Sequence, residues 1–151
     1  MFMDENELRG FIVQAKTNTY ATGEGSTAQP SRLGTKDFPY QMGDYKYLDS
    51  YVGGLNFAGQ ELVWKDEKSI WAMNYYGTTF NPVEGFPAFL FKSLKLVTEA
   101  NPYRGPEQYS DERFEYICSW NGDIKQFVGE EKILCSGEVI YQLSFHGGII
   151  R

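Results

Sequence analysis

The stretch Tyr45-Lys46-Tyr47-Leu48-Asp49-Ser50-Tyr51 alternates with a period of two. On a strand that period sends Tyr45, Tyr47, Asp49 and Tyr51 to one side and Leu48 and Val52 to the other. A carboxylate among tyrosines is costly to bury unless it is hydrogen-bonded, paired or offered to a cation. Glu61, inside the otherwise apolar run 57–64, poses the same question. Together with Trp71 and Tyr75 these residues compose an aromatic and acidic set, Tyr47, Asp49, Tyr51, Glu61, Trp71 and Tyr75, suited to a flat or cationic small molecule held by cation–π contact and charge. Arg104, in the turn-forming Asn101-Pro102-Tyr103-Arg104-Gly105-Pro106, could clamp an anionic group through two parallel bonds. The plainer account has the Tyr hydroxyls and Arg104 satisfying the carboxylates internally, or the Tyr face simply wet.

Other chemistries find less support. Paired carboxylates are the machinery of glycoside hydrolysis, but that reading depends on separations a sequence does not give. His146 is the only histidine and would have to serve any Ser or Cys nucleophile, with nothing to place it beside Ser119, Ser144 or a cysteine. One His and two distant Cys do not make an ordinary zinc set, so no metal and no cofactor is expected. Gly53-Gly54 and Gly147-Gly148 follow strand patterns without leading into helices, which makes them turns rather than phosphate cradles.

Composition narrows the partners. The 151 residues carry a net charge of −6, with 42% hydrophobic and 23% charged residues, ordinary globular proportions for a single domain, 1–151. The estimated pI of about 4.8 and scattered Lys and Arg argue against direct nucleic-acid binding and against anionic membranes. No segment reaches the length of a membrane span and the N-terminus has no positive leader, so the expected location is cytoplasmic. Cys118 and Cys135 are too few for a disulfide scaffold and are expected as buried thiols. Aromatic residues reach 17%, with 11 Tyr, 11 Phe and 3 Trp. That surplus suits a cavity or an interface, and a homodimer is one way to use it.

The elements that would position these residues follow from periodicity. Leu8, Phe11, Ile12 and Ala15 share a helical face, with Asp4 as N-cap, Glu7 reaching back and Met3 stapling Leu8. The Thr-, Ser-, Gly- and Pro-rich stretch 17–43 reads as a long mobile loop. Strands are expected at 45–52, 55–64 and 70–76 as a meander. A helix follows over 86–100, with Phe86, Phe89, Leu90, Leu94 and Val97 as its stripe. The stretch 114–128 forms a hairpin at Asn121-Gly122, and 133–145 forms another. No internal repeat is expected. The fold class is α+β: a curved antiparallel sheet of about six to seven strands with two helices packed on one face, leaving the other face free for a ligand.

The motifs from Gly43 to Gly54, then Phe57-Ala58-Gly59-Gln60-Glu61, Trp71 to Gly77, Tyr103 to Pro106 and His146-Gly147-Gly148 resemble an uncharacterised bacterial family of domains of unknown function, family 5680, over nearly the whole chain. The resemblance carries no activity to any residue. Some relatives carry a helix-turn-helix ahead of the domain, which implies a sensing or oligomerising role there; this chain has only a short helix and no basic recognition helix.

The sequence therefore points to a small-molecule-binding or ligand-sensing domain, more readily a non-enzyme, with Tyr47, Asp49, Tyr51, Glu61, Trp71, Tyr75, Arg104 and His146 as its site and the 17–43 loop as its cover. The alternatives are an enzyme acting on a small polar substrate through Asp49, Glu61 or His146, and a protein-interaction or dimerisation module.

Overall fold

A computed structural model describes residues 3–23 and 25–151. The chain begins with helix α1 (Glu5–Thr17), whose N-terminal amides at Asn6 and Glu7 are capped by the Asp4 carboxylate. Glu7 does not reach back to close a capping box; its carboxylate accepts from the Tyr45 hydroxyl and lies near Lys65 instead. A 3-10 turn, Tyr20–Thr22, follows. Strands β1 (Lys36–Met42), β2 (Tyr45–Gly53), β3 (Asn56–Lys65) and β4 (Lys68–Thr79) then form a meander. Helix α2 (Phe86–Leu94) leads into β5 (Gln108–Ser110), β6 (Phe114–Asp123), β7 (Gln126–Cys135) and β8 (Glu138–Ile149). All strands join one antiparallel sheet of eight in the order β1-β2-β3-β4-β8-β7-β6-β5.

The sheet thus has eight strands, not six or seven. The two additional ones lie at its edges. β1 falls inside the stretch read as a loop and carries Pro39, a residue that removes a ladder donor and so is confined to edges; β5 is only three residues long. The second helix ends at Leu94 rather than near residue 100. Val97 is still buried, but the chain reaches it through tight turns, Leu96 N donating to Ser93 O and Val97 N to Leu94 O. No helix among the described residues is long and apolar enough to cross a membrane. Cys118 is a buried and Cys135 a half-buried free thiol.

Both helices pack on one face, and the alternation of β2 resolves accordingly: Tyr45, Tyr47 and Asp49 are buried and Val52 is exposed on the other side. The core is built from α1 (Leu8, Phe11, Ile12), α2 (Phe86, Phe89) and the inward residues of every long strand.

The sheet is an internal duplication. Strands β2-β3-β4 and β6-β7-β8 carry the same residues in the same places: Tyr47 matches Tyr116, Gly53 matches Gly122, Phe57 matches Phe127, Gly59 matches Gly129, Glu61 matches Glu131 and Gly77 matches Gly147. Contacts match as well. Phe11 packs against Tyr45 and Tyr40 in the first half as Phe89 packs against Phe114 and Tyr109 in the second. The β4–β8 ladder pairs Tyr75 with Phe145, flanked by Met73 with Gly147 and Gly77 with Leu143, so that a pseudo-twofold axis passes between equivalent residues. The expectation of no repeat is therefore overturned. The β6–β7 turn is one residue longer than its counterpart, and that offset hides the match from a linear reading.

Candidate functional site

Each half buries one glutamate under a tyrosine and a cation. In the first, Glu61 is fully buried and receives Lys16 Nζ at 2.7 and 2.9 Å and the Tyr47 hydroxyl at 2.5 Å. In the second, Glu131 receives Arg104 through Nε at 3.1 Å and Nη2 at 2.9 Å, the Tyr116 hydroxyl at 2.5 Å and the Tyr141 hydroxyl at 2.7 Å. Lys16 also donates to the carbonyl of Tyr103 at 2.6 Å. Burial pulls the Lys16 pKa down while the Glu61 charge holds it up. Such pairs survive in a low-dielectric interior only because their remaining hydrogen-bonding positions are filled.

Asp49 breaks the symmetry. It lies directly opposite Glu61 on the neighbouring strand, is 2% exposed, and among the described residues accepts one hydrogen bond, from the Tyr75 hydroxyl to Oδ1 at 2.6 Å. The equivalent pair in the second half is Cys118 and Phe145, both apolar and both buried. The fold therefore does not require a carboxylate and a hydroxyl at these positions. Burial, and then the neighbouring Glu61 charge, push the Asp49 pKa up to about 7, against the lowering effects of Tyr75, Lys16 and Arg104. Burial likewise raises Tyr75 and Tyr20 well above the ordinary tyrosine value, so both are hydroxyl donors throughout the physiological range.

Asp49 lies on the wall of a cleft of about 490 Å³ between the first half of the sheet, α2 and the segment after α1. Its polar lining includes Asp49, Tyr75, Tyr20, Arg104 and, at the edge strand, Lys36; its apolar lining includes Phe38, Tyr51, Phe57 and the α2 residues Phe86, Leu90, Phe91 and Leu94. The volume and the mixture of an aromatic body with a few converging polar groups suit a small-molecule site. Gly59 makes room for it: a Cβ there would sit 2.3 Å from the Tyr75 hydroxyl oxygen and 2.6 Å from Tyr51 Cβ, so glycine is what lets both side chains cross β3.

Of the eight residues singled out from the sequence, the cleft brings together Asp49, Tyr51, Tyr75 and Arg104. Tyr47 and Glu61 lie behind it in the Lys16 cluster. Trp71 is fully buried against Phe127. His146 is on the opposite, exposed face, paired in register with Asn74 and Val128. Phe38, Phe57, Tyr20 and the α2 residues were not singled out, although the helical stripe of Phe86, Leu90 and Leu94 already marked which side of α2 faces inward.

The family described as Domain of unknown function (DUF5680) matches residues 49–150. The chain belongs to the DUF5680 family. That match spans both halves of the duplication except the start of the first, and it contains Asp49, Tyr75 and Arg104 together. No curated protein and no solved structure matches this DUF5680 chain.

Proposed function

We propose that this protein binds a small molecule in the cleft of its first half, and that the ligand presents an apolar, ring-bearing body to the aromatic wall and an ammonium or other hydrogen-bond-donating group to Asp49. The observation that carries the reading is the charge count of the buried cluster. Two cations, Lys16 and Arg104, are each committed to a glutamate. Asp49 is a third carboxylate with, among the described residues, no cation paired to it, open to the cleft, and replaced by an apolar residue in the half that has no need of it. A ligand cation at Asp49 would neutralise that third charge in a site of low dielectric, where such pairing is strongest.

A binding or sensing role fits better than turnover, because Glu61 and His146, the other groups an enzyme reading would use, lie outside the cleft. A sensing role also agrees with the arrangement implied for relatives that carry a helix-turn-helix. Lys36 and Arg104 in the lining supply a competing reading, an anionic ligand, which the same assay addresses. Thermal unfolding at pH 8 with benzylamine or with phenylacetate is expected to show a rise in midpoint with benzylamine alone, absent in Asp49→Asn. Stabilisation by phenylacetate that persists in Asp49→Asn would overturn the assignment of Asp49.

The outward face of the sheet exposes Val52, Tyr76, Ile117 and Val128, which supports a homodimer as a second property. A mass by light scattering equal to one chain at high concentration would remove it.

A further inference from the structure

The duplication gives the cleft an internal standard, and the standard is occupied. In the second half, Trp120, Phe127 and Phe145 stand where Tyr51, Phe57 and Tyr75 stand in the first. The ring of Tyr103 sits among those three, with centroid separations of 5.5 Å to Trp120, 4.4 Å to Phe127 and 6.2 Å to Phe145. It is 2% exposed. The hydroxyl end lies on the side of Arg9 and Asp123, whose charges act on it. The backbone end points inward, where the Tyr103 carbonyl meets Lys16.

In the first half the three rings are present, Tyr51 to Phe57 at 6.3 Å and Phe57 to Tyr75 at 6.0 Å, the latter matching Phe127 to Phe145 at 6.1 Å. All three border the open cleft. Among the described residues no aromatic ring stacks against all three: Phe38 stacks on Tyr51 and Tyr141 on Phe57, each on one of the three. Tyr20, which follows α1, packs instead against Leu94 and Ala21. The polar end differs too. Where the second half has Cys118 opposite its buried glutamate, the first has Asp49.

Resting on the cleft reading above, we infer that the first half is an unfilled copy of the Tyr103 slot, and that its ligand is an aromatic amine whose planar ring lies among Tyr51, Phe57 and Tyr75 and whose aminomethyl group projects inward to Asp49. Tyr103 shows that the slot accepts a six-membered planar ring carried on an sp³ carbon at its inner end. Asp49 supplies the counter-charge that the Tyr103 copy has no use for. The Gly53-Gly54 turn and Pro87 border the cleft at the positions matched by Gly122-Asp123 and Arg9 around the Tyr103 hydroxyl, so a ring substituent opposite the aminomethyl carbon would lie there.

The test compares benzylamine with cyclohexylmethylamine, which carries the same ammonium on a thicker, non-planar ring, using titrations followed by NMR on the intact protein and on Asp49→Asn. Benzylamine is expected to bind about five-fold tighter than its saturated analogue, the size of a preference arising from ring–ring contact, with its ring protons shifted upfield by the three faces. Both should weaken at least about ten-fold in Asp49→Asn, as loss of a buried charge partner predicts. Equal or tighter binding of cyclohexylmethylamine, still lost in Asp49→Asn, would overturn the ring slot while leaving the cleft reading standing. No binding of either amine, or binding indifferent to Asp49→Asn, would overturn both.

Discussion

Asp49 and Glu61 face one another directly across β2 and β3, two carboxylates on the same buried face of the sheet. Like charges so placed destabilise a strand pair, and the protein meets this by giving Glu61 the ammonium of Lys16 and leaving Asp49 with a single hydroxyl donor. Asp49 is consequently the group on which protonation falls.

The pH dependence of stability follows from that asymmetry. The folded-state pKa of Asp49, about 7, lies above its ordinary value of 3.8, so the native state holds a proton that the unfolded chain releases. The stability conferred by neutral Asp49 is complete below about pH 3.8, is lost progressively as pH rises towards 7, and is constant above. Lys16 and Arg104 limit the loss; Glu61 enlarges it. Asp49→Asn carries no such loss. Its melting temperature is expected to match that of the parent at pH 4 and to exceed it by about 5 °C or more at pH 8. Parallel melting curves across that range would show that Asp49 stays ionised.

The Lys16–Glu61 pair makes a second prediction. Lys16→Met leaves Glu61 buried with, among the described residues, the Tyr47 hydroxyl, and Glu61→Gln leaves the buried Lys16 ammonium without a counter-charge, facing only neutral acceptors; each is expected to cost about 3–5 kcal/mol. The double variant removes both charges and should cost clearly less than the sum, since neither is left uncompensated. Urea unfolding of the four proteins decides the matter, and additive losses would mean that the two groups are stabilised independently.

Much of this arrangement was legible in the sequence, and the boundary has physical causes. Period-two alternation put Tyr47, Asp49 and Tyr51 on one side of β2, but only the packing of α1 and α2 could say that this side is the inner one, because alternation is symmetric between faces. Gly59 was legible as a close approach; that the approaching groups are Tyr75 and Tyr51 depends on strand register. Pro39 disguised β1. The pairing of Lys16 with Glu61 was out of reach, since Lys16 reads as a helix C-terminal cation beside the dipole, and nothing local announces that its stem turns into the core. The duplication was written in the chain, in Tyr47 and Tyr116 or Glu61 and Glu131, and one extra turn residue concealed it.

The imperfect symmetry predicts a substitution series at Trp71. Tyr141, its counterpart, donates its hydroxyl to Glu131 at 2.7 Å, whereas the indole Nε1 of Trp71 is buried without an acceptor among the described residues. Trp71→Tyr places a hydroxyl where the matching ring reaches a glutamate, and so should be more stable than Trp71→Phe by about 1–2 kcal/mol, the contribution of a hydrogen bond to a charged acceptor. Denaturant midpoints of the two variants provide the comparison. A Phe variant as stable as the Tyr variant would mean that the first-half ring cannot reach Glu61 and that the orphan indole reflects a real divergence of the two halves.

Tyr103 offers the sharpest test of the equivalence between the halves. Truncation to Ala removes a ring packed against Trp120, Phe127 and Phe145 and should cost about 3–5 kcal/mol. The backbone carbonyl that Lys16 uses is retained, so the buried ion pair survives and the variant is expected to fold. The vacated space is apolar, lined by three aromatic faces, and such cavities take up matching rings from solution. Adding phenol, the ring severed beyond Cβ, should therefore raise the melting temperature of Tyr103→Ala more than that of the parent protein. Cyclohexanol of similar size should do so less, because the slot is bounded by flat faces. If phenol stabilises neither protein, the second half has collapsed on loss of its ring, and Tyr103 is then a structural plug whose space does not persist without it, which would remove the ground for reading the first-half cleft as a preformed copy.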